Sequence, residues 1–182
     1  METFTDIKDF VPNPHYQEER EKCVRDLDTN TIDAPLIAIV EGLLALPYCF
    51  TLQSCYGHFL NGEQRDPKNL EPLTISDRTS EVEYRIAYLA LCIQDNGSGR
   101  VLFNELCKIP EIDPAYIQFG CAEWFWERQV NSYALQVEPE RYKTRDSVFI
   151  GYQEARHIQK TRDEFFGEIK GVIEKSAIKL LR

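Results

Sequence analysis

The sequence predicts an α+β fold: a mainly antiparallel sheet with flanking helices and a long C-terminal helix. Three observations predict it. Four stretches alternate apolar and polar residues or are apolar throughout over strand lengths: "YCFTLQSC", "EYRIAYLALCIQD", "AYIQFGCAEWFW" and "NSYALQVEP". The last two are separated by Glu127–Asn131, short enough for a hairpin. From about Val148 to Leu181, Phe149, Tyr152, Phe165, Ile169, Val172, Ile173 and Leu180 recur at helical spacing.

The elements follow in order. Pro12 and Pro14 end any regular structure in the opening segment, and Pro14 starts a short charged helix running to about Leu27. Asp33 is placed to cap the next helix, with Pro35 in its first turn. That helix, "APLIAIVEGLLAL", is nearly all apolar and stops at Pro47. In the first strand, Tyr48, Phe50 and Leu52 alternate with Cys49, Thr51, Gln53 and Cys55. The second set is polar without charge, which suggests a pocket floor. Residues 57–82 form a long loop, rich in Asn, Asp, Pro and Gly as far as Ser80, of a length typical of lids and insertions. The strand "EYRIAYLALCIQD" is apolar on both faces and belongs in the middle of a sheet. "NGSGR" is a turn before a helix with Ser98 as its cap. Its backbone amides and Arg100 suit an anion, but the third glycine of a dinucleotide fingerprint is replaced by Leu102. On "NSYALQVEP", Tyr133, Leu135 and Val137 face the core and Ala134, Gln136 and Glu138 face away. Gly151, Gly167 and Gly171 argue against an unbroken final helix.

The 182 residues fit one domain spanning 1–182, with residues 1–30 as an N-terminal extension. Hydrophobic residues make up 43%, enough for a sizeable core. The net charge of -9 repels phosphate backbones and counts against nucleic-acid binding. A basic strip of Arg156, His157, Lys160 and Arg162 is interrupted by Asp163 and Glu164 and reads as a solvated helix face. Glu2, Asp6 and Asp9 occupy the place of a secretory leader, and the most apolar segment, Ala34–Leu46, is too short to span a bilayer. No membrane partner is expected. The six cysteines are scattered through apolar runs, so reduced thiols in a cytoplasmic protein are expected.

The chemistry concentrates at "TLQSCYGHFLNG". Cys55 and His58 have the spacing of two zinc ligands, but no second Cys-x-x-Cys or Cys-x-x-His supplies the others, so no metal is expected. As catalytic residues, His58 would serve as acid–base group and activate the Cys55 thiol. As a ligand pocket, Thr51, Gln53 and Ser54 would share the site with Gly57, which permits close backbone approach, and with Gln136 and Glu138 from a neighbouring strand. Trp124, Trp126 and Tyr133 are available to stack on a flat ligand.

The segment Ile32–Phe59, "IDAPLIAIVEGLLALPYCFTLQSCYGHF", resembles the start of the wybutosine-synthesis protein 3 family of tRNA methyltransferases. In that family an acidic-capped helix leads into a strand of the type "YFTTSSCSGR". Ala122–Pro139 is similar to its later strand pair. The resemblance implies an α+β fold, S-adenosylmethionine as cofactor, methyl transfer to a modified guanosine, and pocket positions Thr51, Ser54, Cys55 and Gly57. Gln53 stands for the pair's second serine, Tyr56 for the serine after cysteine, and His58 for the arginine. The family's later arginine-asparagine-serine-glycine segment has no counterpart. The expectation is a binder of a small molecule or nucleotide-like ligand, on a methyltransferase-like scaffold. The alternative is a non-catalytic protein that acts through a partner or as a homo-oligomer.

Overall fold

The computed structural model describes residues 4–62, 64–73, 80–142 and 145–180. Two antiparallel sheets carry the fold, as the strand patterns predict. The larger contains β1 (Phe4–Thr5), β2 (Cys49–Cys55), β5 (Ala87–Ile93), β6 (Ile117–Ala122) and β7 (Ser132–Val137), in the order β1-β6-β7-β5-β2. The smaller contains β3 (His58–Leu60), β4 (Glu81–Arg85) and β8 (Ser147–Gly151), in the order β3-β4-β8. The helices are α1 (Tyr16–Arg25), α2 (Ile37–Leu44), α3 (Gly97–Leu106), α4 (Glu123–Arg128) and α5 (Tyr152–Leu180).

The core lies on one face of the larger sheet. Leu89, Leu91 and Ile93 of β5 and Tyr133, Leu135 and Val137 of β7 pack with Ile39 and Leu43 of α2, Leu102 and Leu106 of α3, and Phe165, Ile169 and Val172 of α5. Each such side chain stabilises the fold by about 1.5–3 kcal/mol when fully buried. That gain explains why α5 runs unbroken through Gly167 and Gly171, which each cost only about 1 kcal/mol relative to alanine. As its two apolar faces predict, β5 is central, between β7 and β2. None of the described helices is long and apolar enough to cross a membrane.

Several elements depart from the sequence reading. The apolar run at 83–95 is divided at Ile86, whose N–H donates to the Asp146 carbonyl at 3.1 Å. Its first part enters the smaller sheet and its second part the larger. The loop 57–82 begins with strand β3, paired with β4 through Phe59 and Tyr84. Glu63 and residues 74–79 of it lie outside the described residues. The expected start of the last helix is strand β8, with alternating burial.

The strand expected to continue to Trp126 turns helical after Ala122. Glu123 stands at the N-terminal turn and Arg128 at the last, and the Arg128 guanidinium lies 3.3 Å from the Trp124 ring centroid. An i,i+4 pair and favourable end charges outweigh the alternation. Asn96, rather than Ser98, caps α3, accepting from the Gly99 N–H at 2.8 Å. Gly99 is required because a Cβ there would sit 2.0 Å from the Gln94 carbonyl oxygen. The "NGSGR" pattern is thus explained by capping and packing.

Candidate functional site

A cavity of about 410 Å³ opens on the sheet face opposite the core. Its floor follows from strand register, because directly opposed residues share a face. One row runs Cys55–Tyr88–Gln136–Gln118 across β2, β5, β7 and β6. The next runs Gln53–Ala90–Ala134–Gly120. The first row is polar and long. The second is small in three of its four members; Gln53 and Ala134 of it line the cavity, while Phe4 packs over Gly120. Trp124 and Phe125 of α4 form one wall, and Arg85 and Asp146 stand where the two sheets meet. Among the described residues the buried Gln118 Nε2 has no hydrogen-bond partner.

Glu138, two residues on from Gln136, has no solvent exposure. Its Oε2 accepts from Gln136 Nε2 at 2.9 Å, and its Oε1 has no partner among the described residues. Burial pushes its carboxyl up to about 8, partly offset by the Arg145 backbone and reinforced by Asp146. At neutral pH this group largely keeps its proton.

At the end of β2 the chain turns through Cys55-Tyr56-Gly57-His58. Gly57 has φ +86°, and a Cβ there would meet the Ala87 Cβ at 2.8 Å, so the turn requires glycine. The Tyr56 N–H donates to Asp33 Oδ2 at 2.7 Å. The Gly57 N–H donates to the Cys55 Sγ at 3.5 Å. His58, 7% exposed, places Nδ1 3.0 Å from the Asn69 carbonyl oxygen and Nε2 3.3 Å from Asp33 Oδ2. Both neighbours are acceptors, which favours the imidazolium. Hydrogen bonds to Asp33 and then Cys55 push His58 up to about 10, against the opposing effect of burial. Burial opposes ionisation of Asp33, but hydrogen bonds from His58 and Tyr56 outweigh it and hold the carboxyl below its ordinary range.

Arg162 completes the turn. It is buried, its Nη1 donates to the Gly57 carbonyl at 3.2 Å, and its guanidinium lies 4.1 Å from the Tyr56 ring centroid. Asp163 Oδ1 accepts from its Nε and Nη2 at 3.0 and 2.9 Å. The solvated-face reading fails for this residue. Arg162 follows Ile158 by four and precedes Phe165 by three, so its position on the apolar stripe was the signal of burial.

The structure brings Gln53, Cys55 and Gln136 to the cavity, with Glu138 hydrogen-bonded to Gln136. Gly57 and His58 shape the adjoining turn, and Cys55 belongs to both places. Thr51 and Ser54 correct the sequence reading. A β-bulge between Thr51 and Gln53 shifts the register, so Thr51 opposes Leu91 and Ser54 opposes Leu89, away from the cavity. They border a separate cleft with Asp28 and Thr31. Asp33 does not cap a helix with its side chain but faces the turn. Trp124 lines the cavity, whereas Trp126 and Tyr133 pack edge to face with each other. Sequence reasoning missed Tyr88, Asp146, Asn69 and Asp33 as site neighbours. Tyr88 was recoverable from its place on the non-core face of β5.

No family model and no curated protein matches the chain. Among solved structures, the chain is similar to one titled "Structure of PH1069 protein from Pyrococcus horikoshii", with 9% identity and a TM-score of 0.49. The match covers 89% of this chain and 96% of that one. A likeness of that degree transfers nothing to this chain.

Proposed function

We propose that the sheet-face cavity binds a nucleoside-like ligand and that the protein is a divergent S-adenosylmethionine-dependent methyltransferase scaffold. The observation that carries the binding proposal is the floor itself. A row of amide and phenol side chains borders a row of small residues, beneath an aromatic wall. Ala122 and Ala134 leave room for a planar ring, Trp124 offers it the face that Arg128 does not cover, and the Gln53 amide offers a donor and an acceptor to its edge. The volume lies within the usual range for small-molecule sites, about 300–1,000 Å³. Arg85 is the one basic side chain among the described lining residues, and Asp146 accompanies it. That balance suits a nucleoside or sulfonium better than a polyphosphate.

The reaction is drawn from the resemblance at Cys55 and Gly57. S-adenosylmethionine would supply the methyl group. Gln53 and Gln136 would orient the ligand, and the buried Glu138 would fix the Gln136 amide.

Titration with S-adenosylmethionine, S-adenosylhomocysteine, adenosine and guanosine, followed by Trp fluorescence and calorimetry, tests this reading. The expected result is saturable binding of at least one of them. Gln136→Ala should weaken it about 10-fold, or about 1.4 kcal/mol, while Thr51→Ala, on the other face, leaves it unchanged. Silence of all four at millimolar concentration would refute the proposal, as would equal losses in both variants.

A further inference from the structure

We propose that Asp33, Cys55 and His58 form a binding site for a zinc ion, with three protein ligands and a fourth position open. A carboxylate oxygen of Asp33, Cys55 Sγ and a His58 ring nitrogen all lie within 4.8 Å of one another. The His58 Nε2–Asp33 Oδ2 separation is 3.3 Å. Donors about 2.0–2.1 Å from a tetrahedral zinc are themselves about 3.3 Å apart. The two oxygen and nitrogen donors are therefore already at ligand spacing.

The surroundings are those of a ligand set. The Asn69 carbonyl takes the Nδ1 side of His58, which leaves Nε2 for the ion. The Gly57 N–H donates to the Cys55 sulfur and fixes its position. The Tyr56 N–H anchors the Asp33 carboxylate. Gly57, at φ +86°, allows the chain to reverse within the Cys-x-x-His spacing. Asp33 and Cys55 are partly exposed and His58 is buried, so the ligand set borders solvent on one side. Asp163 pairs with the nearby Arg162 and leaves the Asp33 carboxylate to the ion. Zinc binding would release protons from its ligands. Thiolate and imidazole donors disfavour magnesium and calcium and suit zinc. Because Cys55 also lines the cavity, the ion and any cavity ligand would be neighbours. The zinc site does not depend on what the cavity binds.

The test uses the full chain, stripped with a chelator, loaded with zinc, desalted and assayed by elemental analysis, with cobalt as a spectroscopic substitute. One zinc per chain is expected, and cobalt should give a thiolate charge-transfer band with strong four-coordinate visible absorption. Cys55→Ser should abolish the band, and Asp33→Asn and His58→Ala should each weaken zinc binding about 10-fold or more. Cys107→Ser, a half-buried thiol elsewhere, should change nothing. Should the site variants fold poorly, the wild type alone decides: its melting temperature should rise with zinc and not with magnesium. Well under one zinc per chain, a cobalt spectrum without the band, or a band that survives Cys55→Ser would overturn the proposal.

Discussion

Glu138→Gln is expected to remove a pH dependence of stability. The carboxyl is wholly buried, and its pKa rises from 4.5 to about 8 on folding. The folded chain therefore holds this proton more tightly than the unfolded chain. The associated stability is complete below about pH 4.5, declines as pH rises, and is lost above about pH 8. At about 1.4 kcal/mol per pH unit, the wild type loses about 5 kcal/mol across that interval. This is a large part of the roughly 5–15 kcal/mol that holds a domain together. Glutamine cannot ionise, and its carbonyl can still accept from Gln136. Urea unfolding of both proteins, followed by circular dichroism between about pH 5 and pH 9, reads the difference. The two should be of similar stability near pH 5, and the variant should be several kcal/mol more stable near pH 9. A difference that stays constant over the range would refute the assignment of a buried, raised carboxyl.

Two further outcomes concern the frame around the site. Tyr84→Phe removes a buried hydroxyl that donates to the Val137 carbonyl at 2.6 Å and accepts from the Ala87 N–H at 2.9 Å. It should cost about 1–3 kcal/mol in urea unfolding, whereas a cost near zero would mean that both backbone groups find other partners. Gly57→Ala places a side chain in left-handed backbone and against Ala87, and should cost about 1–3 kcal/mol or more. A neutral result would mean that the turn is not held in this conformation.

Much of the fold was legible in the sequence. Alternation found every strand of the larger sheet except the short β1, and it assigned Tyr133, Leu135 and Val137 to the core and Gln136 to the other face. What stayed hidden depends on partners distant in sequence. Nothing local in "EYRIAYLALCIQD" marks Ile86 as the point where the chain leaves one sheet for another. The bulge after Thr51 could not be read either, since one unpaired residue inverts every later side chain of β2. Hence Gln53 and Cys55 were placed rightly together, but in company with Thr51, which faces the other way. Asp33 looked like a cap because Pro35 follows it, and its true partners, Tyr56 and His58, are supplied only by the turn.

The reach of Arg162 to the Gly57 carbonyl bears on how the chain is made. Synthesis delivers Asp33, Cys55 and His58 early, yet the guanidinium that braces their turn emerges more than a hundred residues later. A delay of similar length separates β1 from β6, and a shorter one separates β4 from β8. A nascent chain therefore waits, with strand edges unpaired and the cysteine turn unsupported, until most of its length has left the ribosome. During that interval the turn from Cys55 to His58 lacks the Arg162 contact that braces it, so the site is completed only when the last helix docks.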